Sequence, residues 1–233
     1  MQQMRHRPPG QILRSRLAPV APWGVRRALL GAARPVRLGP RDILFHAGDA
    51  GDGCYFLRAG AVKAIVVAKD GQERLLAVLG PGSLIGELSL IDSAPRSATI
   101  AALKPCGLLH LSRTAFYRVA DANPLIYRAA LKILARRLRE TNDLTLAQAT
   151  VPVVGRVARA FLALAAGLGH ERCNSGILLS DRITQTDIAG LAGVARENAS
   201  RAINDLLREG VLTREGHHYV IVDPQALEDL AEI

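Results

Sequence analysis

From Leu125 to Val151 the chain runs without a single glycine or proline, and prolines stand at both borders, Pro124 and Pro152. The residues between them favour helix, and proline cannot continue a helix interior, so the stretch reads as one long helix with defined ends. Tyr127, Leu131, Leu134 and Leu138, continued through Thr141 and Thr145, repeat at the alternating spacing of a two-stranded coiled coil. A second apolar line through Ile126, Ala130 and Ile133 can pack on a neighbouring domain. A helix with two apolar faces favours a homodimer through residues 124–149, against the alternative of a helix buried in its own subunit.

Such a helix divides the chain into two textures. Before it, from Val36 to about Leu111, short apolar runs are separated by glycine turns, as in "DILFHAGDAGDGCYFLRAG" and "AVKAIVVAKDGQERLLAVLGPGSLIGE". Asp70-Gly71 between two β-rich runs is a hairpin signal, and the spacing reads as an antiparallel β sandwich or roll. Gly48, Gly51, Gly53, Gly60 and Gly80 are read as turn residues. After it, "VVGRVARAFLALAAGLG" reads as a helix closed by glycines. Thr184 with Asp187 three residues on resembles a capping box, Gly193 supplies a turn, and a further helix begins near Ala195, which together make a helix-turn-helix. In "VLTREGHHYVIV" two β-type runs join through Glu215-Gly216, the hairpin of a winged version. The expected fold is α+β: an N-terminal antiparallel β-roll over 23–122, a long dimerisation helix over 123–150 and a C-terminal winged helix-turn-helix over 151–233. Residues 1–22, rich in arginine and proline, are expected to be a disordered basic extension.

Composition narrows the function less than the net charge of +9 suggests. Residues 1–40 hold eight arginines and no acidic residue; without them 22 basic residues face 21 acidic ones. Residues 151–233 carry eight arginines against eleven Asp and Glu, so DNA binding there has to rest on particular side chains. No run of about 20 apolar residues is free of charge and proline, which leaves no membrane span, and the first segment lacks the apolar run of a secretory signal. A cytoplasmic protein is expected. Cys54, Cys106 and Cys173 are odd in number and form no CxxC pair, which argues against a disulfide framework, a metal site or an iron–sulfur cluster.

Two stretches carry chemistry. In the second helix of the helix-turn-helix, Ala199, Ala202, Ile203 and Leu206 fall on one side at about 100° per residue, with Arg196, Glu197, Ser200 and Arg201 on the other. The polar group lies near the helix start, where arginine can donate two hydrogen bonds to guanine and glutamate can accept one from cytosine. A solvated face with a Glu197–Arg201 pair is the alternative. Thr184 and Gln185, at the start of the preceding helix, are further DNA-binding candidates. In "GELSLIDSAPRSAT" Gly86 allows close backbone approach, Glu87 can accept from sugar hydroxyls, and Arg96 with Ser97 can hold a phosphate. Phosphate and sugar in one pocket mean a nucleotide; a surface Glu–Arg pair is the bland alternative.

At these residues the chain resembles the CRP/FNR family of bacterial transcription regulators, along nearly all of 36–222. "FHAGDAGDGCYFLRAG" and "GELSLIDSAPRSAT" are similar to that family's cyclic-nucleotide-binding β-roll and phosphate-binding cassette. The resemblance assigns Glu87 to the ribose 2′-hydroxyl, Arg96 and Ser97 to the cyclic phosphate, and Gly86 to backbone approach, with Leu88 beside them. "ARRLRETNDL" is similar to the dimer helix, in which a Thr-Ser pair contacts adenine; Thr141 matches and Asn142 differs, so cyclic AMP and cyclic GMP both stay open as allosteric ligand. "ARENASR" is similar to a recognition helix that reads TGTGA half-sites, with Arg196, Glu197 and Arg201 matching. The resemblance thus implies a homodimer on palindromic double-stranded DNA, with RNA polymerase as a further candidate partner. A constitutive regulator, one answering another small molecule, or a nucleotide-binding module acting on a protein partner are the alternatives.

His46 and His110 are available as haem ligands by residue type only, and no haem is expected. His217 and His218 belong to the proposed wing, where they suit the DNA backbone and would make DNA affinity mildly pH-dependent. No nucleophile–base grouping or metal motif supports an enzyme.

Overall fold

The computed structural model describes residues 27, 29–67, 73–172, 176–179 and 183–232. The basic extension 1–22, the Asp70-Gly71 turn and Cys173 lie outside the described residues. The chain forms two compact units, one ending at Leu144 and the other beginning at Thr145.

The first unit is built on eight strands: β1 Arg34–Leu38, β2 Ile43–Phe45, β3 Gly53–Ala59, β4 Val62–Val67, β5 Glu73–Leu79, β6 Leu84–Ile85, β7 Thr99–Ala102 and β8 Cys106–Ser112. They pair in two four-stranded sheets, ordered β1-β8-β3-β6 and β2-β7-β4-β5, with every recorded pairing antiparallel. Strand alternation sorts the side chains into two cores. Tyr55, Leu57, Leu79, Ile100 and Leu108 fill the space between the sheets. Their neighbours Cys54 and Leu111 point the other way, into a second apolar cluster with Phe116, Ile126, Ala129 and Ile133.

That second cluster is where the helices dock. A short helix α1, Glu87–Asp92, follows β6; α2, Arg113–Ala122, begins where Ser112 accepts a hydrogen bond from the Ala115 N–H; α3 is Leu125–Thr150. At 1.5 Å per residue α3 is about 39 Å long. Ile126, Ala129 and Ile133 are buried against the first unit, whereas Leu131 and Leu138, 65% and 62% exposed, lie on the opposite line.

The second unit contains α4 Val153–Leu168, β9 Gly169–Arg172, β10 Gly176–Leu179, α5 Gln185–Ala192, α6 Arg196–Arg208, β11 Leu212–Glu215, β12 His218–Ile221 and α7 Pro224–Glu232. Its sheet runs β11-β12-β10-β9. α4, apolar on most sides, packs against α5, α6 and α7, and its Phe161 meets Tyr219 edge-on with ring centroids 5.2 Å apart. The wing hairpin turns at Gly216 with φ +62°. Sequence reading anticipated α4, α5, α6 and the β11–β12 hairpin; it placed neither the β9–β10 hairpin nor α7.

Candidate functional site

Among the described residues, two charged ones of the first unit are buried, Arg96 and Glu87, and Arg96 is 4% exposed. Its Nη1 shares its protons among the Gly53 carbonyl at 2.9 Å, the Gly86 carbonyl at 2.8 Å and Ser89 Oγ at 2.8 Å. Nη2 donates to Asp52 Oδ1 at 2.8 Å, and the guanidinium carbon lies 4.3 Å from the centroid of the Phe45 ring. Four acceptors and an aromatic face fix the group.

The glycines around it are needed for contact more than for turning. Gly86 has φ +74°, and a Cβ there would fall 2.3 Å from Arg96 Nη1. A Cβ on Gly51 would fall 2.4 Å from Ser89 Oγ, the same hydroxyl that receives Arg96. Among the glycines expected to turn, Gly48 and Gly60 do have positive φ; Gly51, Gly53 and Gly80 do not. Gly51 and Gly53 are small because backbone or side-chain atoms lie where a Cβ would stand.

Glu87, at the start of α1, is 3% exposed and pairs with Arg137 of α3; Arg137 also donates from Nη2 to the Leu84 carbonyl at 2.9 Å. Burial pushes the Glu87 carboxyl above the ordinary range, opposed chiefly by the Arg137 charge. Glu87 Oε2 and Arg96 Nε are buried without a hydrogen-bond partner, an acceptor and a donor in one cassette. Leu88 and Ser97 are exposed beside them, and Thr141 and Asn142 are exposed one helical turn beyond Arg137. The residue types and their placement suit a ligand with hydroxyl donors and an anionic group.

In the second unit, Thr184 caps α5 through a capping box with Asp187: its Oγ1 accepts from the Asp187 N–H at 3.1 Å and the Asp187 carboxylate accepts from the Thr184 N–H at 2.9 Å. Gly193 closes α5 with φ +62°, and Ala195 precedes α6. Ala199, Ala202, Ile203 and Leu206 are buried, as their spacing requires. Arg196, Glu197 and Arg201 are exposed, with no hydrogen bond or ion pair between Glu197 and Arg201; Ser200 and Gln185 are half-buried. His217 is exposed at the wing turn and His218 half-buried on β12.

These two structures, a β-roll with a buried Arg–Glu cassette and a winged helix-turn-helix with an unengaged polar helix start, are matched separately by known families. The cyclic nucleotide-binding domain family matches residues 35–123, and the Crp-like helix-turn-helix domain family matches residues 155–230. The chain is thus a transcription regulator carrying a cyclic nucleotide-binding domain, and not an enzyme. It is 32% identical over 200 residues to the CRP-like cAMP-activated global transcriptional regulator of Mycobacterium tuberculosis, covering 86% of this chain and 89% of the relative. The Cyclic AMP receptor protein of Thermus thermophilus is 36% identical over 189 residues, with 81% and 83% covered. The chain belongs to the CRP/FNR family. A solved CRP/FNR-family regulator of Thermus thermophilus superposes with a TM-score of 0.73 at 25% identity, covering 86% of this chain and 99% of that one. The c-di-GMP-responsive global regulator CLP of Xanthomonas campestris superposes at 0.70 with 26% identity, covering 85% and 98%.

Several residues of this cassette escaped sequence reading: Asp52, Ser89 and Arg137 hold the expected residues in place yet lie 44, 7 and 50 positions from their partners. Among the described residues no helix is long and apolar enough to cross a membrane.

Proposed function

We propose that the chain is a cyclic-AMP-responsive regulator, with cyclic GMP as the alternative nucleotide, acting as a cytoplasmic homodimer on palindromic DNA with TGTGA-like half-sites. The observation that carries the nucleotide half is the pair of buried unpartnered atoms, Glu87 Oε2 and Arg96 Nε. On this reading Glu87 accepts from the ribose 2′-hydroxyl, Arg96 and Ser97 hold the cyclic phosphate, and the backbone at Gly86 and Leu88 lines it. Thr141 and Asn142 meet the base. The cyclic AMP named in the relatives' descriptions supports the choice of ligand.

The DNA half rests on α6, where Arg196, Glu197 and Arg201 are exposed and free to meet base edges, with Ser200 beside them and Thr184 and Gln185 at the start of α5 toward the backbone. Leu131 and Leu138 supply the exposed apolar line that a second copy of α3 would cover. Ligand that favours DNA binding must itself bind more tightly in the presence of operator.

Calorimetric titration with cyclic AMP and cyclic GMP, repeated on Arg96→Ala, tests the first half. Saturable binding that Arg96→Ala removes is expected; no heat with either nucleotide on folded protein overturns it. Because CLP, a structural relative, is described as c-di-GMP-responsive, cyclic di-GMP belongs in the same titration. Gel shifts on paired TGTGA half-sites, with and without nucleotide, test the second half.

A further inference from the structure

His110 on β8 stands at the edge of the cassette without a role in the reading above. Its Nε2 lies 3.3 Å from Asp52 Oδ2, within ion-pair range, yet is buried without a hydrogen-bond partner. The other oxygen of the same carboxylate, Oδ1, accepts from Arg96 Nη2 at 2.8 Å. Histidine, carboxylate and phosphate-site arginine therefore form a continuous chain. The imidazole is held in it by stacking on Tyr55, with ring centroids 4.7 Å apart. Across β1 the register partner of His110 is Arg34, which is exposed, and at the start of α2 Arg113 is engaged by the Gly51 and Ser89 carbonyls.

We propose that His110 is a positioning residue that acts through Asp52 on Arg96, so that the pocket binds a cyclic nucleotide monophosphate more tightly in mild acid than in mild base. This inference rests on the cyclic-nucleotide reading of the same pocket.

The physical basis is charge compensation. With a neutral imidazole, the Asp52 carboxylate is left to Arg96, and the pair presents little net charge to an incoming anion. An imidazolium shares that carboxylate and adds a positive charge, so Arg96 is less compensated on the side where an anion has to sit. A bound phosphate offsets Arg96, the cation that repels an imidazolium, so ligand and proton assist each other, and the assistance is reciprocal. Histidine is the side chain that ordinarily gains its charge between about pH 5 and 8. A cyclic phosphate diester remains a monoanion throughout and contributes no titration.

Two other ionisable side chains lie near the cassette, and both can be separated. Glu87 acts in the opposite direction, since acid neutralises the acceptor offered to the sugar, and it is retained when His110 is replaced. His46 is exposed in the loop after β2, beside the Phe45 that covers Arg96.

The test is calorimetry with cyclic AMP from about pH 6 to about pH 8 on wild type, His110→Gln, Asp52→Asn and His46→Gln. The wild-type Kd is expected to rise about three- to tenfold across the range, the scale set by tenfold in affinity per unit of linked titration. That rise is expected to vanish in His110→Gln, to be mostly lost in Asp52→Asn, and to persist in His46→Gln. A flat wild-type profile, or a slope that survives in His110→Gln, overturns the inference while leaving the nucleotide reading intact. A slope lost in His110→Gln but unchanged in Asp52→Asn overturns the route through Asp52. Absence of binding at every pH removes the nucleotide reading itself, and this inference with it.

Discussion

Glu87 and Arg137 form an ion pair between the Arg96 cassette and the long helix, with Glu87 side chain 4% and Arg137 side chain 20% exposed. Removing one partner of a buried pair leaves an uncompensated charge, which costs more than the pair contributes. Arg137→Ala is expected to lower unfolding free energy by about 3 kcal/mol. Combining it with Glu87→Leu should recover much of that loss. Urea denaturation of wild type, single and double variants at one protein concentration measures both.

The same carboxyl sets a pH dependence. Burial raises the Glu87 pKa in the folded chain, so the folded state holds the proton more tightly than the unfolded state does. Its contribution to stability is fullest below the ordinary carboxyl value and is lost as pH rises through the raised folded value. Subtracting the urea midpoints of Glu87→Gln from those of wild type over mildly acidic to neutral pH should give a curve that falls as pH rises. A rising difference curve would contradict the burial of this group.

Gly86 has no room for a methyl group. Alanine there must adopt φ +74° and push against Arg96 Nη1. Gly86→Ala is expected to weaken cyclic-nucleotide binding at least tenfold, about 1.4 kcal/mol, while destabilising the fold by about 1 to 3 kcal/mol. Titration calorimetry and thermal unfolding on the same sample read both effects. Unaltered affinity in the variant would show that Arg96 does not hold the ligand.

The start of α6 separates recognition from folding. Arg196, Glu197 and Arg201 are exposed, so Arg196→Ala, Glu197→Gln and Arg201→Ala should each change stability by no more than about 0.5 kcal/mol. Each is nonetheless expected to lower affinity for a TGTGA half-site by about 1 to 3 kcal/mol and relax preference at one base pair. Ile203→Ala, in the fully buried face, should do the reverse, costing about 2 to 5 kcal/mol of stability. Competition gel shifts with single-base variants of the site, paired with denaturation curves, distinguish the two classes.

Cys54 is expected to be chemically silent. Its thiol is 3% exposed and is pushed up to about 12, first by burial, so thiolate is scarce near neutral pH. Iodoacetamide at neutral pH should leave Cys54 unmodified in the folded protein and modify it after denaturation, read by peptide mass spectrometry. Rapid labelling of the native chain would mean that the cluster around Phe116 and Ile133 opens readily.

What was legible in the sequence was local or periodic. The Thr184–Asp187 box, the Gly193 turn and the two faces of α6 involve neighbours within one or two helical turns, so spacing alone places them. In α3 the separation is partial: Ile126 and Ile133 are buried and Leu131 and Leu138 exposed, but Leu134 and Ala130 are half-buried, and Tyr127, expected on the dimer line, packs instead against Phe116 in the first unit's own apolar cluster. The cassette was legible as residue types, and its geometry was not. Arg96 is held by Asp52 and Gly53 from across the β-roll and Glu87 by Arg137 from another element, and no periodicity links such positions. Some signals were present and unread. Asp223 before Pro224 is a helix-start signature, and Asp223 Oδ1 does accept from the Ala226 N–H at 3.0 Å at the start of α7. The close packing at Gly51 and Gly53 is harder to foresee, because a glycine chosen for lack of volume and one chosen for positive φ are the same letter.

Arg96 is seated on four acceptors and on the Phe45 ring, contacts supplied by the fold itself. On the proposed reading a cyclic nucleotide arriving there would have no flexible arginine to gather, so the ordering of that side chain would belong to folding and not be repeated at each encounter. Differences in affinity among variants of one site lie mostly in departure, so the lifetime of such a complex is where changes around Arg96 are expected to show. For the cyclic-nucleotide sensor proposed above, time would be kept by release: its memory of a pulse of signal would last as long as the ligand stays, and changes around Arg96 would lengthen or shorten that memory.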